Sequence, residues 1–203
     1  MKVSEDLQKL IPFGYLFLVV MGILKESVIF YQLGINILKY STLMDILISP
    51  IATLTTHPIT FLATMSLFVL CYYLPSILYK NDHRKWIKKM FELKQTKLDL
   101  PDMEIKRYYA LISIKFLAVL LLSIYLGYGA AEGFMTAKSI KEGKLKYNHT
   151  LNYCNGGSEQ ISLINSNTVY YFYVAKGSKT IKIAPIGAIK NIELTNNRMF
   201  KNE

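Results

Sequence analysis

From Ile46 to Tyr79 the chain contains no Asp, Glu, Lys or Arg, and it then runs directly into Lys80-Asn-Asp-His-Arg-Lys-Trp-Ile-Lys-Lys. A helix on the surface of a water-soluble domain carries polar residues along its solvent face, so an uncharged run of this length excludes the ordinary amphipathic pattern. Its later part, Pro58 to Tyr79, exceeds the roughly 20 apolar residues needed to cross a hydrocarbon core of about 30 Å. An α-helical multi-pass membrane protein is the expected class. The lysines after Tyr79 mark where this span leaves the bilayer.

Pro58 suits the first turn of such a helix, Pro75 predicts a kink in its last turns, and Tyr72, Tyr73 and Tyr79 stand where an aromatic belt belongs. A first span is expected over about 11–31. Lys25 and Glu26 interrupt it and are expected near the far interface, where long side chains reach headgroups. The N-terminus has the basic start of a secretory signal, with Lys2 and Lys9. However, no small residues follow the apolar run and the first Ala is Ala52, so a retained anchor is expected. A third span is expected over about 108–131, with Lys115 two turns in and Gly127, Gly129 and Gly133 loosening its exit. Three spans, or four, are compatible with the pattern. The segment 35–49 has helical spacing closed by Pro50. Lys39 and Asp45 within it would each cost about 2.5–3.5 kcal/mol at the bilayer centre, which favours an interfacial helix there.

Residues 84–95 read as a second interfacial helix, with Trp86, Ile87, Met90, Phe91 and Leu93 largely on one face and Lys85, Lys88, Lys89 and Lys94 around them. Asp99 then reads as the cap of the third helix, with Pro101 inside it and acids in its first turn. These elements form an expected transmembrane domain, 1–135. Over 136–203 the texture changes to short β-type runs at 161–164, 169–174, 180–183 and 188–194, separated by Asn-Ser-Asn, Lys-Gly-Ser-Lys and Pro-Ile-Gly turn signals. A small all-β domain, sheet or half-open barrel, is expected, followed by a frayed tail from Thr195.

The net charge of +10 is distributed unevenly. Residues 80–107 hold nine Lys and Arg and residues 1–10 hold two, against six at positions 25, 39, 138, 141, 144 and 146. The positive-inside bias places the N-terminus and the 80–107 loop in the cytoplasm of a cell bounded by a cytoplasmic (inner) membrane, with the β domain on the opposite side.

Chemistry is less legible. Glu26, Asp45 and Lys115 are the candidate functional charges, since ionisable groups at membrane depth are costly and mark sites. Glu26 and Lys115 differ in expected depth by about 10 Å, so they are not expected to pair directly. Asp45 with His57 lacks a nucleophile at any recognisable spacing. Tyr170, Tyr171, Phe172 and Tyr173 are expected to be sheet core, with Tyr171 and Tyr173 on one face and Tyr170 and Phe172 on the other. Trp86, Lys88 and Lys89 are the candidate surface for anionic lipid, with a protein partner on the same basic loop as the alternative and nucleic acid disfavoured. Cys71 and Cys154 form no C-x-x-C, His57, His83 and His149 lie far apart, and no phosphate loop or catalytic triad pattern occurs. Neither a metal, a cofactor nor an enzymatic activity is expected.

In size and layout, across the whole chain, the protein resembles the small membrane accessory proteins encoded beside type VI-B CRISPR RNA-guided nucleases. The resemblance is one of organisation, no motif carries it, and no residue role is transferred. It implies a non-enzymatic regulator of an antiviral defence system. A subunit of an oligomeric pore or transporter, lined by Glu26, Asp45 or Lys115, is the competing expectation.

Overall fold

A computed structural model describes residues 2–195, with side chains from residue 11 onward. Five helices precede five strands: α1 (Lys2–Tyr31), α2 (Leu43–Thr56), α3 (Pro58–Asn81), α4 (Lys85–Met90) and α5 (Asp102–Glu142), then β1 (His149–Tyr153), β2 (Ser158–Ser166), β3 (Tyr170–Ala175), β4 (Ile181–Pro185) and β5 (Ile189–Leu194). Three of the helical segments are long and apolar enough to cross a membrane: Ile11–Tyr31, Pro58–Asn81 and Asp102–Glu142. The 14 residues of α2 rise only about 21 Å, short of a hydrocarbon core. The expected tail lies, from residue 196 on, outside the described residues. By its contacts the chain divides into two compact units, one of residues 1–50 with the chain from 126 onward, the other of residues 51–125. The boundary at 135/136 read from composition falls inside α5, one continuous helix that contributes to both.

In the first unit α1 packs against α2 through a backbone contact. Pro50 does not close the 35–49 helix as expected but sits inside α2, and having no N–H it cannot bond the carbonyl four residues back, that of Ile46. A Cβ placed on Gly22 of α1 would lie 2.1 Å from that carbonyl oxygen. The proline frees an acceptor, and the glycine lets a second helix backbone press against it. The glycines of α5 act similarly. They were expected to loosen the helix; instead it continues to Glu142, and Gly133 packs so closely on α1 that a Cβ would meet Ile29 O at 2.8 Å. The helix ends where Gly143 takes φ +68° and Lys144 N–H reaches back to Ser139 O, the left-handed C-terminal motif that favours glycine.

The sheet of this unit is antiparallel, in the order β4-β3-β2-β1-β5. Its outer strands, β4 and β5, are joined by only Ile186–Ala188. Four steps of chain span at most about 14 Å, whereas five flat strands would put the edges about 19 Å apart. The sheet must therefore curl, as a half-open barrel does. Leu151, Ile161, Tyr173 and Ala184 fill its inside, and Tyr171 packs with them. Phe172 and Tyr170 point the other way, onto Ile29 and Phe30 of α1 and Ile37 of the loop that follows. The alternation expected along this strand is the one observed.

In the second unit Leu74 and Leu78 of α3, Ile87 of α4, and Ile105 and Tyr109 of α5 make one core cluster. The interfacial helix expected over 84–95 is only six residues long. It stops because Glu92 adopts φ +49° and Leu93 N–H turns back to Lys88 O. Asp99 does not cap α5; it accepts hydrogen bonds from Thr96 N–H and Oγ1 at 2.7 and 2.8 Å, closing a turn. The first intrahelical bond goes instead to Pro101 O, at 3.0 Å.

Gly22→Leu is expected to destabilise the protein by about 3 kcal/mol or more, since neither the Ile46 backbone nor the new Cβ can yield. Gly14→Leu, where a Cβ has open space, is the control. Denaturant unfolding in detergent measures both; equal stability of the two variants would contradict the helix contact.

Candidate functional site

The polar residues of the first unit converge at the C-terminal half of α1. Lys25 and Glu26 are only 5% and 8% exposed and are buried against their own chain rather than extended to headgroups as expected. Lys25 Nζ lies 3.2 Å from Glu26 Oε1 and donates to Ser49 Oγ of α2 at 3.0 Å. Ser49 Oγ in turn donates to Glu26 Oε1. The second carboxylate oxygen accepts from Asn165 Nδ2 of β2 at 3.5 Å, and the ammonium stands 6.0 Å from the centre of the Tyr128 ring on α5.

Asn165 reaches Glu26 because of a fault in the sheet. Between Leu163 and Asn165 the β2–β3 register shifts, so that Leu163 pairs with Tyr173 and Asn165 with Phe172. Two residues apart in a regular strand would share a face; the bulge turns Asn165 from the barrel interior to the helix-facing side. Strand alternation alone gives no hint of this.

Asp45 belongs to the same unit and is half-buried. Thr42 and Asp45 form a reciprocal cap: Thr42 N–H donates to Asp45 Oδ2 at 2.8 Å, and Asp45 N–H to Thr42 Oγ1 at 3.2 Å. The carboxylate also accepts from Thr168 N–H and Oγ1, at 3.0 and 3.1 Å, in the β2–β3 turn. Burial pushes this carboxyl up, but the Thr42 and Thr168 hydrogen bonds outweigh it and hold it below its ordinary value. Asp45 thus starts a helix and clasps a hairpin.

In the second unit the central charge is one that sequence reading passed over. Asp82 is 1% exposed. It accepts from Lys97 N–H at 2.8 Å and Tyr109 Oη at 2.9 Å, with Lys97 Nζ at 3.8 Å. It is the single acid between Lys80 and Phe91, and an isolated acid in a basic run was the available signal. Next to it, Ile87 is 2% exposed and Trp86 58%, so the face read as continuous is split. Ile87, Phe91 and Leu93 turn inward to the core cluster, while Trp86 and Met90 point outward with Lys85, Lys88 and Lys89. Lys115 is exposed on α5.

A third polar chain lies within the barrel. Tyr173 and Tyr153 hydroxyls meet at 2.6 Å, Tyr153 Oη donates to Glu159 at 3.1 Å, and Glu159 holds Lys182 at 2.8 Å. The Lys182 hydrogen bond keeps the Glu159 carboxyl low, and burial pushes the Tyr153 hydroxyl up. These contacts satisfy two phenols inside an apolar shell. Among the described residues no group of three His, Cys, Asp or Glu could hold a metal ion. No protein-family model, no curated protein and no solved structure matches the chain.

Glu26→Leu strands the Lys25 ammonium in the interior and is expected to cost about 3–5 kcal/mol, while the double variant Lys25→Met/Glu26→Leu recovers most of that loss. Denaturant unfolding of the purified protein checks this, and a double variant as unstable as the single one counts against a structural pair. For Asp82, burial raises the carboxyl, but hydrogen bonds from Lys97 and Tyr109 and the charges of Lys97 and His83 bring it below its ordinary value. A folded-state value below the unfolded one of about 3.9 gives stability that is present above that pH and is lost as pH falls through the folded value. Wild type is therefore expected to exceed Asp82→Asn in stability at pH 7, with the gap narrowing from pH 4 downward. A gap constant across that range would show that the charge contributes nothing.

Proposed function

We propose that this chain is a non-enzymatic integral membrane accessory protein that regulates a partner from the cytoplasmic face of the inner membrane. The observation that carries the reading is the division among its charges. Glu26, Asp45 and Asp82 are engaged in holding helices, a hairpin and a loop, which leaves none of them free for general acid–base work. The lysines of α4 and Trp86 face outward from a helix pinned by Ile87. Such a surface, covalently joined to α3, rests among anionic headgroups and is open to a cytosolic partner.

Two observations support the proposed sidedness. The eleven Lys and Arg of segments 1–10 and 80–107 outnumber the six near the opposite helix ends, at positions 25, 39, 138, 141, 144 and 146. Ile29 and Phe30, at the C-terminal end of α1, pack with Phe172 of the sheet, so a single crossing by α1 puts the N-terminus on the side away from the β domain. The pore alternative needs Glu26, Asp45 or Lys115 to face a path between copies, and of the three only Lys115 is exposed. The burial of Glu26 and the hydrogen bonding of Asp45 favour the accessory role over it.

The likeness in size and layout to accessory proteins of type VI-B CRISPR systems supplies the process: modulation of RNA-guided antiviral interference. Deleting the gene is expected to change phage sensitivity in a host carrying the neighbouring nuclease. The triple variant Lys85→Glu/Lys88→Glu/Lys89→Glu is expected to reproduce the deletion while remaining in the membrane fraction. Unchanged phage sensitivity on deletion, beside a housekeeping gene neighbourhood, overturns the defence assignment. Reporter fusions after Asn81 and after Glu203 test the sidedness separately.

A further inference from the structure

Within the second unit, α3 and α5 leave an apolar groove of about 740 Å³ along their seam, inside the range of about 300–1,000 Å³ typical of small-molecule sites. Its α3 wall includes Phe68, Cys71 and Pro75, and its α5 wall Ala110, Ser113 and Leu117. The α5 residues recur at spacings of three and four, so they share one helical face, and one turn further along that face is Lys106. One turn beyond Pro75 on α3 is Tyr79. These two ends meet: Lys106 Nζ stands 6.0 Å from the Tyr79 ring centre and Lys97 Nζ 5.8 Å from it. The ring is held by a hydrogen bond from its hydroxyl to Asp102, at 2.9 Å. The groove thus leads from apolar walls to two ammonium groups about a tyrosine.

Depth matches that polarity. Cys71 precedes Asn81, the end of α3, by ten residues, or about 15 Å along the helix. The groove therefore lies at acyl-chain depth in the leaflet next to the 80–107 loop, and Lys97 and Lys106 lie at headgroup depth. The acids nearby have partners of their own: Asp82 accepts from the Lys97 amide and Tyr109 Oη and holds Lys97 Nζ at 3.8 Å, and Asp102 accepts from Tyr79, so Lys106 carries the larger share of the uncompensated positive charge. Small side chains at 110 and 113 open the groove, and a cationic pair at its mouth selects against an uncharged or zwitterionic head.

We propose that this groove binds one anionic phospholipid, with an acyl chain between α3 and α5 and its phosphate at Lys106 and Lys97. The site rests on α3 and α5 crossing the membrane and not on the accessory role. A bound lipid would fix the α3–α5 seam and so the 80–107 loop that both helices carry.

The test is native mass spectrometry of the purified full chain in detergent, with dioleoylphosphatidylglycerol and dioleoylphosphatidylcholine as competing probes. Wild type is expected to retain one phosphatidylglycerol in preference to phosphatidylcholine, with about fivefold of that preference from Lys106 and less from Lys97. Lys97→Gln/Lys106→Gln is expected to bring the two lipids near parity, Lys106→Arg to keep the preference, and Ala110→Phe, which fills the groove, to lose both. Unfolding midpoints near that of wild type exclude collapse of the variants as the cause. Equal retention of the two lipids by wild type, or a preference untouched by the double lysine variant, overturns the site. So does a dimer mass that excludes lipid, which would make the groove a seat for a second copy. Carbonate extraction separates the premises: protein that stays in the membrane yet shows no lipid preference refutes the site alone, whereas released protein refutes the spans.

Discussion

An ion pair buried in an apolar helix is costly unless each partner finds further hydrogen bonds, and the Lys25–Glu26 pair makes that demand of everything around it. Ser49 must be at hand, which requires α2 to lie close against α1; this in turn requires Gly22 to carry no side chain and Pro50 to release the Ile46 carbonyl. Asn165 must turn out of its barrel, which requires the bulge in β2. Tyr128 must stand over the ammonium, which requires α5 to approach α1 through Gly129 and Gly133. Three separated stretches of sequence, in α2, β2 and α5, thus answer to one pair of adjacent charges.

The second unit repeats the logic with a single charge. Asp82 sits where α3 gives way to a basic loop, and a loop with so many lysines has a strong tendency to remain solvated and loose. By drawing in the Lys97 amide and the Tyr109 hydroxyl, the buried carboxylate closes that loop over the end of α3. Ile87 is then held in the core, and Trp86 and the lysines beside it acquire a fixed outward direction. The orientation of the exposed face follows from a residue that is not on it.

What could be read in the sequence was whatever depends on composition over many residues. The uncharged stretch ending at Tyr79 and the apolar run after Tyr108 mark out two helices long and apolar enough to cross a membrane without any neighbour being known, and the strand alternation from Tyr170 to Tyr173 predicts both faces correctly. What could not be read depends on partners distant in sequence. Gly129 and Gly133 look like helix breakers until α1 is seen against them, and Pro50 looks like a terminator until Gly22 is seen opposite its freed carbonyl. β1, His149-Thr-Leu-Asn-Tyr, has little apolar periodicity because Leu151 alone is fully buried, and it is paired on both edges, by β2 and β5. The sites followed the same rule. Trp86, Lys88 and Lys89 were legible as a basic aromatic cluster, but their division from Ile87 was not, and Asp82 was hidden by its basic surroundings.

The distribution of charge bears on function through cost. A buried carboxylate or ammonium is retained only where its hydrogen bonds hold elements in place or where it does chemistry, and here Glu26, Asp45 and Asp82 bond to parts of the fold itself. Exposed lysines carry no such cost, and their effect is long-ranged: they attract anionic surfaces and partners without needing a fixed geometry. Glu26 and Asp82 lie inside and hold the fold together, while the lysines beside Trp86 are displayed at the end of a helix long and apolar enough to cross a membrane. It is on that division of charge that the proposed accessory role rests.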